Sequence, residues 1–163
     1  KSQSVDMLPK TILEYLTYLN SAYFVRRIRP MDIQGKKQFQ IGEKYYFEDL
    51  GIRNAIRPFR ATDIGQVLEN VVCHHLLVCG YALYIGRDGD KEVDFVAERN
   101  GEKLYVQVAY SVIDPKTHER EFGNLLAIQD NYPKIVVTMD EVEGVSYQGI
   151  EQVPVRKFLL RWK

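Results

Sequence analysis

The stretch Lys91-Glu92-Val93-Asp94-Phe95-Val96-Ala97-Glu98-Arg99-Asn100-Gly101-Glu102-Lys103-Leu104-Tyr105-Val106-Gln107-Val108-Ala109-Tyr110 decides how this chain is read. Val93, Phe95 and Ala97 alternate with Glu92, Asp94 and Val96, which is the two-residue period of a strand with two different faces. Asn100-Gly101 is the dipeptide that best accepts the positive φ angles of a tight hairpin turn. Residues 102–110 are therefore expected to return antiparallel to the first strand. Positions 107 and 109 then share a face, and that face is expected to meet the one bearing Asp94.

Working upstream, Tyr81 to Ile85 reads as a strand and Gly86-Arg87-Asp88-Gly89-Asp90 as a turn by composition. Before it, Ile64, Val67, Leu68, Val71, Val72, Leu76 and Leu77 form an apolar stripe at helical spacing. Thr62 or Asp63 is expected to cap that helix, and Gly80 to stop it. Downstream, Asp114-Pro115 opens a second helix to about Gln129, with Phe122, Leu125, Leu126 and Ile128 apolar. A strand over 134–139, a short strand over 145–150 and a terminal helix or strand over 153–160 follow. The order is helix, three-stranded meander, helix, strand.

The first sixty residues have a different character. Ile12, Tyr15, Leu16 and Leu19 follow Pro9 at helical spacing, and a strand is expected from about Ala22 to Ile28, ending before Pro30. A basic turn over 32–37, an alternating stretch over 38–41, a strand over 44–47 and a short helix over 50–56 complete it. Helix, strand, basic turn, strand is the tail of a winged-helix pattern. The expected organisation is a partial winged-helix-like connector over 1–60 and an α/β domain over 61–163. Lys10, Arg26, Arg27, Arg29, Lys36 and Lys37 are the candidate phosphate contacts of the connector, to DNA in the first instance. The alternative is a solvated basic surface on a segment that packs domains together.

Bulk properties bound the reading. A 45% hydrophobic content supports a real core and excludes a disordered chain. No apolar run approaches the roughly 20 residues that cross a bilayer, so no membrane partner is expected. Cys73 and Cys79 fit neither a redox pair nor half of a zinc site, and read as thiols in a reducing cytoplasm. The net charge of zero hides 11 Lys/Arg against 6 Asp/Glu in residues 1–60, and 11 against 16 in residues 61–163. Such a split fits two modules that dock, or a nucleic-acid-facing part beside an acidic one. The absence of a starting methionine points to a piece of a longer protein.

With Glu69 on the first helix, Glu92-Val93-Asp94-Phe95 on the second strand and Gln107-Val108-Ala109 on the third, segment 61–163 resembles the restriction-endonuclease-like fold, the PD-(D/E)xK superfamily. The resemblance implies a metal-dependent phosphodiesterase site, in which Glu69 and Asp94 would hold Mg²⁺ or Mn²⁺. It also implies a second acid where Gln107 stands and a lysine where Ala109 stands, so the motif is degraded. Lys103 lies four residues from Gln107, roughly 13 Å away at about 3.3 Å per residue. Lys91 is the candidate for a relocated lysine, and Arg120 a second source of positive charge.

Nearly the whole chain is also similar to the C-terminal region of a bacterial and archaeal family of AAA-type ATPases, a tail of unknown function. The matching stretches are Lys44-Tyr45-Tyr46-Phe47-Glu48-Asp49-Leu50-Gly51-Ile52-Arg53-Asn54, Gly65-Gln66-Val67-Leu68-Glu69-Asn70, Gly80-Tyr81, Lys91 to Val96 and Tyr105 to Tyr110. That resemblance implies an ATP-binding domain upstream, and no GxxxxGK[ST] loop occurs in these residues. The functions in view are a nucleic-acid-associated nuclease-like module with weak or no cleavage, a protein-docking regulatory domain, and a Mg²⁺-dependent nuclease with Lys91 relocated.

Overall fold

A computed structural model describes residues 8–35, 42–142 and 144–161. Among the described residues the fold is mixed α/β: one eight-stranded sheet with five α-helices. The elements are α1 (Pro9–Ser21), β1 (Val25–Asp32), β2 (Lys44–Phe47), α2 (Leu50–Ile56), α3 (Ile64–Val78), β3 (Ala82–Asp88), β4 (Lys91–Arg99) and β5 (Glu102–Ala109). They continue with α4 (Pro115–Leu126), β6 (Lys134–Thr138), β7 (Ser146–Tyr147), β8 (Ile150–Pro154) and α5 (Val155–Arg161). The strand order is β2-β1-β3-β4-β5-β6-β8-β7. The meander β3-β4-β5 is antiparallel, and α4 carries the chain across to β6, parallel to β5. None of the described helices is long and apolar enough to cross a membrane.

Two apolar layers cover the sheet. On one face Leu68, Val72, Cys73 and Leu76 of α3 and Phe158 of α5 pack on Phe95, Ala97, Val106 and Val108. On the other, Phe122 and Leu125 of α4 pack on Val93, Val96, Tyr105 and Val136. The helix stripe and the strand period thus find each other, because only that pairing removes both apolar faces from water. Gly80 ends α3 as expected, with φ +81 and the Tyr81 amide donating back to the Leu76 carbonyl at 3.1 Å. Asn100 and Gly101 take φ +55 and +83 in the hairpin turn.

Several expectations are corrected. β1 does not stop before Pro30 but runs to Asp32, pairing first with β2 and then parallel with β3. The Ile33 amide donates to the Arg87 carbonyl, so odd-numbered residues of β1 face β3. Pro30, lacking an N–H, therefore faces the side where pairing with β2 has already ended at Ile28. The stretch 86–90 is not all turn: β3 continues to Asp88, leaving only Gly89 and Asp90 outside strands. Asp63 does not cap α3; its carboxylate accepts from Arg53 Nη2 at 2.8 Å, a buried pair that holds it below the usual range. The helix from Pro115 ends at Leu126, short of Gln129. The expected division after residue 60 falls between α2 and a single 3₁₀ turn, and the sheet runs across it, since β1 and β2 belong to it. The alternating stretch over 38–41 lies outside the described residues.

Candidate functional site

The site begins with an irregularity in β4. Tyr84 sits opposite Val96 and Gly86 opposite Val93, so two steps along β3 match three along β4. The extra residue falls at Asp94-Phe95, which is a β-bulge. Gly86 stands across from it because a Cβ there would come within 2.9 Å of both Ile33 Cδ1 and Val96 Cγ2. The bulge shifts the alternation: Val93 joins Val96 on the α4 face, while Phe95 and Ala97 keep to the α3 face. The expected single face of Val93, Phe95 and Ala97 is thus split.

Past the bulge the β4–β5 ladder stops at Phe95 opposite Val106. Side chains take over the backbone bonds. The Val108 amide donates to Asp94 Oδ2 at 2.9 Å, and the Asp94 amide donates to Gln107 Oε1 at 3.3 Å. Gln107 Nε2 donates in turn to Glu121 Oε2 on α4 at 2.7 Å. Arg120 Nε donates to the other oxygen of Glu121 at 2.9 Å. Gln107 is therefore directed to α4, together with Tyr105 and Ala109, rather than onto the face of the Asp94 carboxylate.

That carboxylate instead meets α3 and the edge strand β2. Lys44 Nζ lies 2.8 Å from Glu92 Oε1, 3.3 Å from Glu69 Oε2 and 3.3 Å from Asp94 Oδ1. Glu92 Oε2 also pairs with Arg87 at 2.7 Å, and the Tyr46 hydroxyl donates to Glu69 Oε2 at 3.3 Å. Lys44 is placed by its strand's end: Asn70 of α3 accepts from the Phe47 amide at 2.9 Å and donates to the Phe47 carbonyl at 2.8 Å. Lys44, Glu69, Glu92 and Asp94 line an open crevice of about 580 Å³ with Gly65, Gln66, Tyr110, Thr117 and Arg120. A second hollow shares Lys44, Gln66 and Glu69 as its wall and carries Arg57.

The electrostatics follow from the count of charges. Glu69, Glu92, Asp94 and Glu121 face Lys44, Arg87 and Arg120, one cation short. Burial, and then repulsion from Glu69, push the Asp94 carboxyl up to about 7, although Lys44 pulls the other way. Burial alone would lower Lys44, but Asp94, Glu69 and Glu92 outweigh it and hold the ammonium above its ordinary value. A perturbed pair in a cleft is what makes this crevice the candidate site.

Of the residues expected to carry chemistry, Glu69 and Asp94 meet at Lys44, and Gln107 lines the same crevice but is turned to Glu121 of α4. Lys91 does not. It is exposed at the start of β4, and the two-residue period sets it with Val93, away from Glu92 and Asp94. Lys103 pairs with Glu98 at 3.2 Å, at the hairpin end of the strands. Lys44, which the sequence reading passed over, supplies the ammonium. Only its partners Glu69 on α3 and Asp94 on β4, 25 and 50 residues away, give it a role, and no local pattern signals that.

Glu69 and Asp94 were also the expected metal ligands. Among the described residues no three His, Cys, Asp or Glu side chains are arranged to hold a metal ion. The point where Glu69, Glu92 and Asp94 converge is taken by Lys44 Nζ, so the residues do not fit a Mg²⁺ or Mn²⁺ ion as they stand.

The candidate phosphate contacts do not share one free face. Arg26 pairs with Glu48 at 2.6 Å, and Arg27 lies 3.9 Å from Glu43. As neighbours on β1 these two arginines point to opposite sides. Lys10 and Arg29 are exposed. Lys36 and Lys37 lie outside the described residues. His74 Nε2–H donates to the Phe47 carbonyl, 2.7 Å away, and so helps to fix β2. Burial pushes the Cys73 thiol up to about 12, which leaves it unreactive.

The sequence profile described as "Domain of unknown function (DUF4143)" matches residues 64–158, more than half of the chain. A similar protein from Haemophilus influenzae (strain ATCC 51907 / DSM 11121 / KW20 / Rd), named "Uncharacterized protein", is 36% identical over 160 residues. The alignment covers 98% of this chain and 39% of that protein, so the chain spans well under half the length of this relative. No solved structure matches the chain significantly. The chain, whose crevice is built entirely by α2-flanking β2 and by elements inside or adjoining the matched region, belongs to the DUF4143 family.

Proposed function

We propose that this chain is a nuclease-like module of a longer, ATPase-containing protein, associated with nucleic acid and with weak or no cleavage activity of its own. The fold part of this reading is supported by the order α3-β3-β4-β5-α4-β6 and by Glu69, Asp94 and Gln107 lining one crevice, as the restriction-endonuclease-like resemblance implies. The upstream ATPase rests on the sequence resemblance, and the greater length of the Haemophilus relative is compatible with it. Arg57 and Arg120, on the walls of the two adjoining hollows, each pair with one acid as Arg26 and Arg27 do, but at 60% and 68% exposed against 39% and 27% they offer phosphate the more open side chains.

The observation that carries the silent-site reading is Lys44 Nζ among Glu69, Glu92 and Asp94. An ammonium there neutralises the carboxylates that a hydrolytic metal needs free. The test is a cleavage assay on supercoiled, linear and branched DNA and on RNA with Mg²⁺ or Mn²⁺, with Asp94→Ala run beside the native protein. The expected outcome is no cleavage by either protein, with salt-sensitive binding retained. Cleavage lost in both Asp94→Ala and Lys44→Ala would instead establish a nuclease whose relocated lysine is Lys44.

A protein-docking role is the second reading, and α1 favours it. No residue of α1 is buried, and Leu13, Tyr15 and Tyr18 are 56%, 57% and 67% exposed. An apolar helix left uncovered marks an interaction surface.

A further inference from the structure

We propose that Lys44 is a built-in counter-cation that closes the crevice to divalent metal ions, and that its removal opens a site for a hard divalent cation between Glu69, Glu92 and Asp94. The inference rests on the silent-site reading above and deepens it by naming the group that does the silencing.

Three carboxylates reach this point from two elements: Glu69 from α3, and Glu92 and Asp94 from either side of Val93 on β4, with Lys44 arriving from a third, β2. Each offers one oxygen at 2.8 to 3.3 Å from Nζ. That is the spacing of charge-assisted hydrogen bonds, not of metal bonds, which are about 2.1 Å for a Mg²⁺-sized ion. The oxygens are therefore gathered round an ammonium at hydrogen-bond distance, and among the described residues they form no metal-type cluster.

The arrangement is nevertheless ready to contract. Asp94 is pinned through Oδ2 by the Val108 amide, so Oδ1 alone faces the centre. Glu69 and Glu92 are partly exposed, at 23% and 31%, and carry longer and less buried side chains than Asp94. Across the crevice floor Gln107 is already spoken for by Glu121 and the Asp94 amide. It cannot supply the missing positive charge. Without Lys44 the four acids would face Arg87 and Arg120 only, and a cation from solution is what such a cleft concentrates.

The test measures Mn²⁺ alone, by titration calorimetry and by the spin-resonance signal of free Mn²⁺, on the whole chain. The proteins are the native form, Lys44→Ala, Lys44→Gln and Lys44→Ala with Asp94→Asn. Lys44→Ala is expected to bind one Mn²⁺ at least about tenfold more tightly than the native protein. Adding Asp94→Asn is expected to abolish the gain, and Mn²⁺ is expected to raise the unfolding temperature of Lys44→Ala selectively. Lys44→Gln keeps the side-chain length should the alanine variant unfold. Native protein that binds Mn²⁺ as tightly as either lysine variant overturns the proposal, as does a folded variant that binds none. Cleavage by the native protein with Mn²⁺ would sink the silent-site reading itself, whereas loss of the Mn²⁺ gain alone would sink only this inference.

Discussion

Asp94 is held at an energetic cost that a surface carboxylate never meets. Its carboxyl is pushed up to about 7 by burial and by Glu69, against an ordinary value near about 4. Between those values the folded protein binds a proton that the unfolded chain has released. The stability contributed by protonated Asp94 is thus full below the ordinary value and is lost as pH rises through about 7. Lys44 is charged in both states across that window and adds no slope. Asp94→Asn mimics the protonated form, keeping an oxygen for the Val108 amide. Urea unfolding is expected to show this variant more stable than the native protein at pH 8, by about 1–2 kcal/mol, with the gap closing towards pH 4. A variant less stable at both pH values would show that the charge itself, not only its hydrogen bonds, supports the fold.

At the scale of elements, the edge strand β2 decides what the crevice is. Its ladder to β1 is short, four residue pairs, so its last residue is fixed from above by Asn70 and His74 of α3. Asn70→Ala removes both bonds to Phe47 and is expected to cost about 1–3 kcal/mol. Hydrogen exchange at the Phe47 amide should accelerate well beyond that of the meander, and unchanged protection there would count against this anchoring. The meander itself was legible because its signals are local: a two-residue period, an Asn-Gly turn and an amphipathic helix on each side. The bulge was not, since a strand's pattern at Glu92-Val93-Asp94-Phe95 looks regular and only Gly86, on the neighbouring strand, betrays it. Lys44 was not legible either, because its partners are joined to it by tertiary packing. Lys91 looked nearer in sequence and was on the wrong side.

For the whole molecule, the uneven charge of the chain does not map onto two separate bodies. The basic first third contributes β1 and β2 to the same sheet as the acidic remainder, and its Lys44 meets three acids of that remainder. What stays outside the packed layers is α1. Replacing Leu13 and Tyr18 by serine is expected to leave the unfolding free energy within about 0.5 kcal/mol for each site. It should at the same time lower binding of a hydrophobic dye and any self-association in light scattering. A large loss of stability would mean that α1 is buried in solution. The pairing of β1 with β3 carries a consequence of its own. Arg29 lies parallel and opposite to Tyr84, so a strand made early must wait, unpaired on that side, for one made much later. Closing so long a loop costs chain entropy before any contact repays it, and parallel pairs between distant segments form slowly. The meander from β3 to β5 can assemble from its own turns, and β1 joins it only across that long loop, together with its partner β2, the strand that brings the crevice its lysine.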